Sequence, residues 1–301
     1  MHRFLTATAA VLSLLQVSVS FAADELPAML IRIPESVTTV FVAETTTGKF
    51  HRFERNGEKL IGSGSYYMSI GQLGAGKERS GDKRTPLGAY FVTEQLDTSR
   101  LHEKYGVTAF PLDYPNEWDR RADRDGDGIW VHGVLRNGGR RPALDTDGCI
   151  ALSNEDLLGL IPSFVDNVTP VLVTREVRWI DPVNQERLRG ELEVSVAAWA
   201  ASRKEDDLYS YLSLYDDDFS RWGMNRDEWS ALSAQTDDRK VMTSASVSDL
   251  MLIAYPEEEG VYLSRFRLSV IEDGQERVMM TRLYWRRDDT GALRIVAESR
   301  G

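Results

Sequence analysis

Cysteine occurs once in the 301 residues, at Cys149, and histidine four times, at His2, His51, His102 and His132. A structural zinc cluster of cysteine and histidine cannot be assembled from that set, and no disulfide can form within the chain. Basic charge is also scarce: 36 Lys plus Arg stand against 47 Asp plus Glu, for a net charge of -11, and no block of five basic residues occurs. Nucleic acid and anionic membrane surfaces are therefore poor partners. With 23 glycines and 10 prolines the chain is neither collagen-like nor low in complexity, and 42% hydrophobic with 28% charged residues suits a folded protein. Its length favours two domains. No cofactor is called for, and no internal repeat is visible.

One apolar run stands apart. Residues 1–23, MHRFLTATAAVLSLLQVSVSFAA, open with Arg3, continue through an apolar stretch from Phe4 to Val19 and end in small residues at Ser20 and Ala22. This is the pattern of a secretory signal, residues 1–22, cut after Ala22. The run is short for the ~20 residues that a bilayer requires, and no later stretch approaches that length, so no integral membrane segment is expected after cleavage. The mature protein is then exported to the periplasm, where a lone thiol must stay free in a compartment that favours disulfides.

From Val37 to about Val173, period-two runs are split by turn residues: VTTVFVAE, KFHRFER, GAYFVTEQ, GIWVHGV and TPVLVT. A mainly β domain over residues 23–176 is expected. Within it Ser153, Asn154, Glu155 and Asp156 read as a helix start, and Leu157, Leu158, Leu160, Ile161 and Phe164 supply an apolar face as far as Asn167. A charged stretch carrying Pro182 marks a linker at 177–190. Beyond it Leu192, Val196, Trp199, Ala200, Leu208, Tyr211, Leu212, Tyr215 and Phe219 recur at helical spacing. Alternating runs from Ser246, with turns at Glu257–Gly260, Asp273-Gly274 and Thr290-Gly291, predict four antiparallel strands. Residues 191–301 should form an α+β domain with helices on one face of a curved sheet.

Residues 129–152, IWVHGVLRNGGRRPALDTDGCIAL, hold the chemistry. A thiol attacks a carbonyl as thiolate, and an imidazole is the usual device for forming it and for protonating the leaving amine. His132 precedes Cys149 by 17 residues, so strand and loop must fold back for them to meet. Gly133 and Gly148 permit close backbone approach, and the N–H groups of Gly148 and Cys149 are candidate oxyanion donors. Such a pair is expected to hold the thiol below its ordinary pKa, against which Asp147 works unless it turns to solvent or binds Arg140 or Arg141.

The sequence HG, a gap, then T-D-G-C-I resembles the active-site signature of the L,D-transpeptidase catalytic domain, the YkuD-type cysteine enzymes of bacterial peptidoglycan. The upstream block GAGKERSGDKRTPLGAYFV, residues 74–92, is similar to that family's glycine-rich approach and T-P-x-G-x-[FY] strand. The resemblance covers about residues 36–175. It implies a β-sandwich-like catalytic domain with one or two short helices, Cys149 as nucleophile, His132 as base and the Gly133 carbonyl as the group orienting the imidazole. The implied substrate is a peptidoglycan stem peptide, cut between the L-centre of a diamino acid and D-alanine. The common form has His before the Gly-Cys pair and Arg two residues after Cys, where this chain has Asp147 and Ala151. In that respect, and in Tyr114, Pro115, Asn116 and Asp119, it resembles the branch that includes carboxypeptidases and enzymes releasing wall-anchored lipoprotein. Residues 191–301 resemble a nuclear-transport-factor-2-like or SnoaL-like cone, a fold that binds small ligands, forms homodimers or positions a neighbour.

Lys77, Asp82, Tyr67, Trp130 and Thr146 are the candidate substrate-binding residues, with Lys83, Arg84 and Tyr66 beside them. Asp123, Asp125, Asp127 and Gly128 have the opening of a calcium loop, but Val134 stands where a bidentate Glu is needed, so a solvated turn is the better reading. His51 and His102 are expected at the surface, and Trp199, Tyr211, Tyr215, Trp222 and Trp229 in the core of the second domain. Three functions compete: an acyl-enzyme resolved by an amine, the same acyl-enzyme resolved by water, and a wall-binding protein without catalysis. The joint presence of His132, Gly133, Gly148 and Cys149 speaks against the third.

Overall fold

The structure is a computed structural model that describes residues 25–135, 138–203, 208–237, 242–272 and 274–300. The expected signal segment and Asp273 of the second hairpin turn lie outside the described residues. Among the described residues no helix is long and apolar enough to cross a membrane.

The alternating runs of the first half become one curled sheet. Its neighbours in order are Gly88–Phe91, Pro170–Thr174, Thr39–Glu44, Lys49–Asn56, Lys59–Gly71, Ile150–Leu152, Trp130–His132 and Ala109–Pro111, while Leu144–Thr146 pairs beside Lys59–Gly71. Isolated bridges Val92 to Leu112 and Leu96 to Ala109 stitch one edge of this path to the other. Curling encloses alternate side chains, and Phe41, Phe50, Phe110 and Phe164 stack inside with centroids 4.1 to 4.8 Å apart. The expected helix forms at Asn154–Leu160, where Ser153 Oγ accepts from the Asp156 N–H, but a 3-10 turn at Ile161–Ser163 ends it before Asn167. Pro162 removes a helical N–H there, so the chain turns Phe164 into the stack.

The second domain carries a seven-stranded sheet in the order Met224–Asn225, Tyr215–Arg221, Leu293–Arg300, Gln275–Arg287, Val261–Glu272, Met242–Ala254 and Leu30–Arg32. The four strands expected from Ser246 onward are present. Helix Glu186–Ser202 lays Leu192, Val196 and Trp199 on Leu252, Phe266, Leu268 and Trp285. Helical spacing misleads at Tyr215 and Phe219, which lie in a strand. Residues spaced by four also share one strand face, and the Tyr215 hydroxyl gains a buried carboxylate, Glu298, at 2.6 Å. Of the five aromatic residues expected in the core, Trp199, Tyr211, Tyr215 and Trp229 are buried and Trp222 is 65% exposed.

The boundary is less simple than a linker at 177–190. Helix Glu186–Ser202 begins inside that stretch, Trp179–Ile180 pairs with Leu26–Pro27, and Leu30–Arg32 joins the far domain's sheet beside Met242–Ala254. Burial of Val177 and Gln185 explains why a charged sequence is nonetheless docked. The two domains also meet across Asn116 to Asp119. Asn116 and Asp119 form a capping box on helix Glu117–Arg121, and Asn116 Nδ2 donates to the Tyr255 hydroxyl at 3.0 Å. Trp118 Nε1 donates to Glu258 at 3.2 Å, and Arg282 bonds Asp113 at 2.5 Å. Thus Asn116 and Asp119 shape the joint, while Tyr114 packs in the first domain's core.

Because the second domain's sheet holds Leu30–Arg32 from the first half of the chain, a protease nick within 177–190 should leave fragments that elute together from a sizing column. Separation should require denaturant. Two peaks under native conditions would contradict the shared strand.

Candidate active site

Two short parallel strands position the nucleophile candidate and its base. Ile150 pairs with Val131 and Ala151 with His132, so Cys149, at the entry of its strand, lies level with Trp130. Alternation along a strand puts residues 149 and 151 on one face, together with 130 and 132 of the neighbour. Strand spacing separates the Cα atoms of Cys149 and His132 by about 8 Å.

The imidazole is fixed by its own chain. His132 Nδ1 lies 2.5 Å from the Gly133 carbonyl oxygen, to which it donates as Nδ1–H, and this leaves Nε2 as the basic nitrogen. The Tyr105 ring stands edge-on to His132 at 5.3 Å and against Trp130 at 4.7 Å. Asn154 latches the loop that follows. Its Oδ1 accepts from the N–H groups of Val107 and Val134, and a Cβ on Gly133 would overlap that oxygen.

Cys149 is buried, and its Sγ donates to the Gly128 carbonyl at 3.3 Å. Burial raises the thiol pKa, although the Trp130 N–H and the charges of Lys104 and Arg141 act in the other direction. Burial likewise lowers His132, to about 4, against the help of the Gly133 carbonyl. The resting pair is therefore neutral thiol and neutral imidazole, which reverses the depressed thiol expected from proximity. Desolvation penalises both charged forms and wins.

The tight turn before Cys149 is built by Thr146, which is buried. Its hydroxyl donates to the Cys149 carbonyl at 2.7 Å and accepts from the Gly148 N–H at 3.1 Å. The Gly148 N–H is thus engaged, and of the two expected oxyanion donors the Cys149 N–H is the candidate left. Gly148 has φ +127°, and a Cβ there would lie 2.7 Å from the Arg84 carbonyl oxygen. Only glycine fits this approach.

Several other expected residues prove structural. Lys77 is buried and bonds Asp82 at 2.9 Å and the Arg79 carbonyl at 2.8 Å. Burial opposes charge on Asp82, but the N–H groups of Arg79 and Glu78, the Lys77 ammonium and the Arg84 N–H hold it down to about 2. This pair ties the glycine-rich loop and is spoken for. Tyr67 donates to the Arg141 carbonyl at 2.9 Å beneath the Arg140 guanidinium, Trp130 is half-buried against Tyr105, and Tyr66 packs on the core. Asp147 binds neither Arg140 nor Arg141. It pairs with Lys104 at 3.3 Å, and Arg141 pairs with Asp145 at 2.7 Å. His102 is exposed as expected, but His51 is buried on strand Lys49–Asn56, 3.5 Å from the Glu44 carboxylate. It shares the face of Phe53, two residues on, and both are covered by Trp179 from outside the curl. Asp125 Oδ1 accepts from the Ser80 N–H at 2.5 Å, and no group of three or more metal-ligating side chains occurs among the described residues. A groove of about 910 Å³ lined by Leu30, Phe53, Trp179 and Arg189 includes neither Cys149 nor His132, so chemistry and not volume marks the site.

Comparison with known families now decides the assignment. Residues 38–173 match YkuD, the L,D-transpeptidase catalytic domain, and residues 191–299 match the Cds6 C-terminal NTF2-like domain. The first half of the chain is thus similar to the L,D-transpeptidase catalytic-domain family. The same two-domain architecture recurs in Bd1075 of Bdellovibrio bacteriovorus, with 24% identity, 92% of this chain and 98% of that chain covered, and a TM-score of 0.74. It also recurs in the helical cell shape determining protein Pgp2 of Campylobacter jejuni, with 23% identity, 92% and 94% covered, and a TM-score of 0.73. At that identity these structures establish the fold. No curated protein sequence is found similar to this chain. The chain is thus L,D-transpeptidase-like over residues 38–173.

Two predictions follow from the site's geometry and charge. Gly148→Ala should destabilise the protein by about 1–3 kcal/mol, read from urea unfolding, because the new methyl meets backbone at a strained φ. Alkylation of Cys149 by iodoacetamide should rise only at or above the ~8.5 of a free thiol, since His132 is uncharged above about pH 5 and cannot hold a resting thiolate. A reactivity plateau below pH 7 would show an ion pair instead.

Proposed function

We propose that this protein is an exported cysteine L,D-transpeptidase of the periplasm, acting on peptidoglycan stem peptides through an acyl-enzyme on Cys149. The observation that carries the reading is the bond from His132 Nδ1 to the Gly133 carbonyl, on a strand paired in parallel with the one that Cys149 opens. It supplies a base whose free nitrogen faces the same side as the thiol.

The starting state is neutral on both partners, so thiol deprotonation and attack belong to one event. His132 Nε2 takes the Cys149 proton as sulfur adds to the carbonyl between the diamino acid and D-alanine. The Cys149 N–H receives the developing oxyanion. The resulting imidazolium gives its proton to the leaving D-alanine nitrogen, and the C–N bond breaks to leave a thioester. An imidazolium pushed toward a pKa of about 4 is a strong acid for that second transfer. An amine or a water then adds to the thioester, with His132 again moving the proton.

Transfer to an amine is the primary reading. The second reading is hydrolysis, as an L,D-carboxypeptidase or an amidase releasing wall-linked lipoprotein, and it is favoured by Ala151, which is buried and offers no cation to an incoming group. Mass spectrometry of muropeptides incubated with mature protein separates them: joined stems mean transfer, and tripeptides alone mean hydrolysis. Cys149→Ala should abolish both products, and a covalent adduct should appear on Cys149 in the intact mass with a carbapenem. Turnover retained after Cys149→Ala would overturn the acyl-enzyme.

A further inference from the structure

The substrate reading above places a free carboxylate on the leaving D-alanine, two bonds beyond the nitrogen that receives the proton of His132. A cation close to the imidazole would meet that carboxylate, and position 151 supplies only a buried methyl. Two cations act on both Cys149 and His132: Lys104 and Arg141.

Their commitments differ. Arg141 is held through Nε to the Asp145 carboxylate at 2.7 Å and through NH2 to the Asp145 carbonyl at 2.8 Å, with its own carbonyl bound by Tyr67. Withdrawing it would dismantle the turn ahead of Thr146. Lys104 has one carboxylate partner, Asp147, at 3.3 Å, with the two side chains 40% and 63% exposed. An exposed pair of this kind contributes at most about 1 kcal/mol, so exchanging one carboxylate for another costs little. The ammonium also lies 5.1 Å over the ring of Tyr105, the same ring that stands edge-on to His132. Lys104 is thus free to change its partner while held in place beside the ring that stands against His132.

We propose that Lys104 binds the terminal carboxylate of the donor peptide, with Asp147 holding the ammonium in position until substrate displaces it. The residue then determines specificity: donors ending in a free carboxylate are accepted over those amidated or extended at that end. This rests on the stem-peptide reading above.

Calorimetric binding to the Cys149→Ala protein tests it without turnover. The probes are a stem tetrapeptide ending in D-alanine and the same peptide as its C-terminal carboxamide. The acid should bind about tenfold or more tightly than the amide, the discrimination expected of one charge-assisted hydrogen bond. Adding Lys104→Met should remove that preference while leaving amide binding unchanged, and Lys104→Arg should retain it. Asp147→Asn should increase the preference, since it removes the competing carboxylate and leaves the ammonium. An acid-to-amide ratio that survives Lys104→Met overturns the anchor alone. Failure of both peptides to bind the Cys149→Ala protein overturns the anchor together with the stem-peptide reading.

Discussion

Parallel pairing of Trp130–His132 with Ile150–Leu152 is the constraint on which the site depends, because it turns a separation along the chain into adjacency across two strands. Each strand is only three residues long and is held from outside. Lys59–Gly71 pairs antiparallel to Ile150–Leu152, Ala109–Pro111 to Trp130–His132, and Asn154 bonds the loop beyond Gly133. The aromatic stack of Phe41, Phe50, Phe110 and Phe164 fills the curl beneath them. Catalytic geometry therefore draws on the whole core and not on a local motif.

The same burial that fixes this geometry sets its charge state. A thiol and an imidazole withdrawn from water both resist ionisation, and the effect exceeds the pull of Lys104 and Arg141 on the sulfur. A neutral resting pair protects a lone thiol, since thiolate is the form that oxidises and exchanges.

Much of this was legible in the sequence, for identifiable reasons. Strands such as Thr39–Glu44 and Pro170–Thr174 announce themselves through alternation of β-branched and aromatic residues, and Ser153 marks its helix by the N-cap bond that it makes. Lys59–Gly71 was hidden because its outward positions are glycine and serine, leaving Tyr66, Met68 and Ile70 as a thin inward signal. Within the site, Cys149, His132 and Gly133 stood out through chemistry and resemblance, whereas Lys104, Tyr105 and Asn154 did not. Their contributions come from tertiary neighbours far along the chain, and no local spacing encodes them. Lys77 and Asp82 misled in the opposite sense: a charged loop reads as solvent-facing or substrate-facing, and nothing local tells that the two charges satisfy each other.

Strand Leu30–Arg32 has a bearing on how the molecule comes to exist at all. It lies early in the chain, yet its partner in the sheet, Met242–Ala254, belongs to the second domain. A contact between residues so distant in sequence carries a large loop-closure entropy and forms late. The curled sheet can close once Pro170–Thr174 has joined Thr39–Glu44, but the second sheet must wait for nearly the complete polypeptide before its edge is covered. A truncated or stalled chain would leave that edge bare, so the shared strand acts as a completeness check in which a finished second domain is what ties down the beginning of the first.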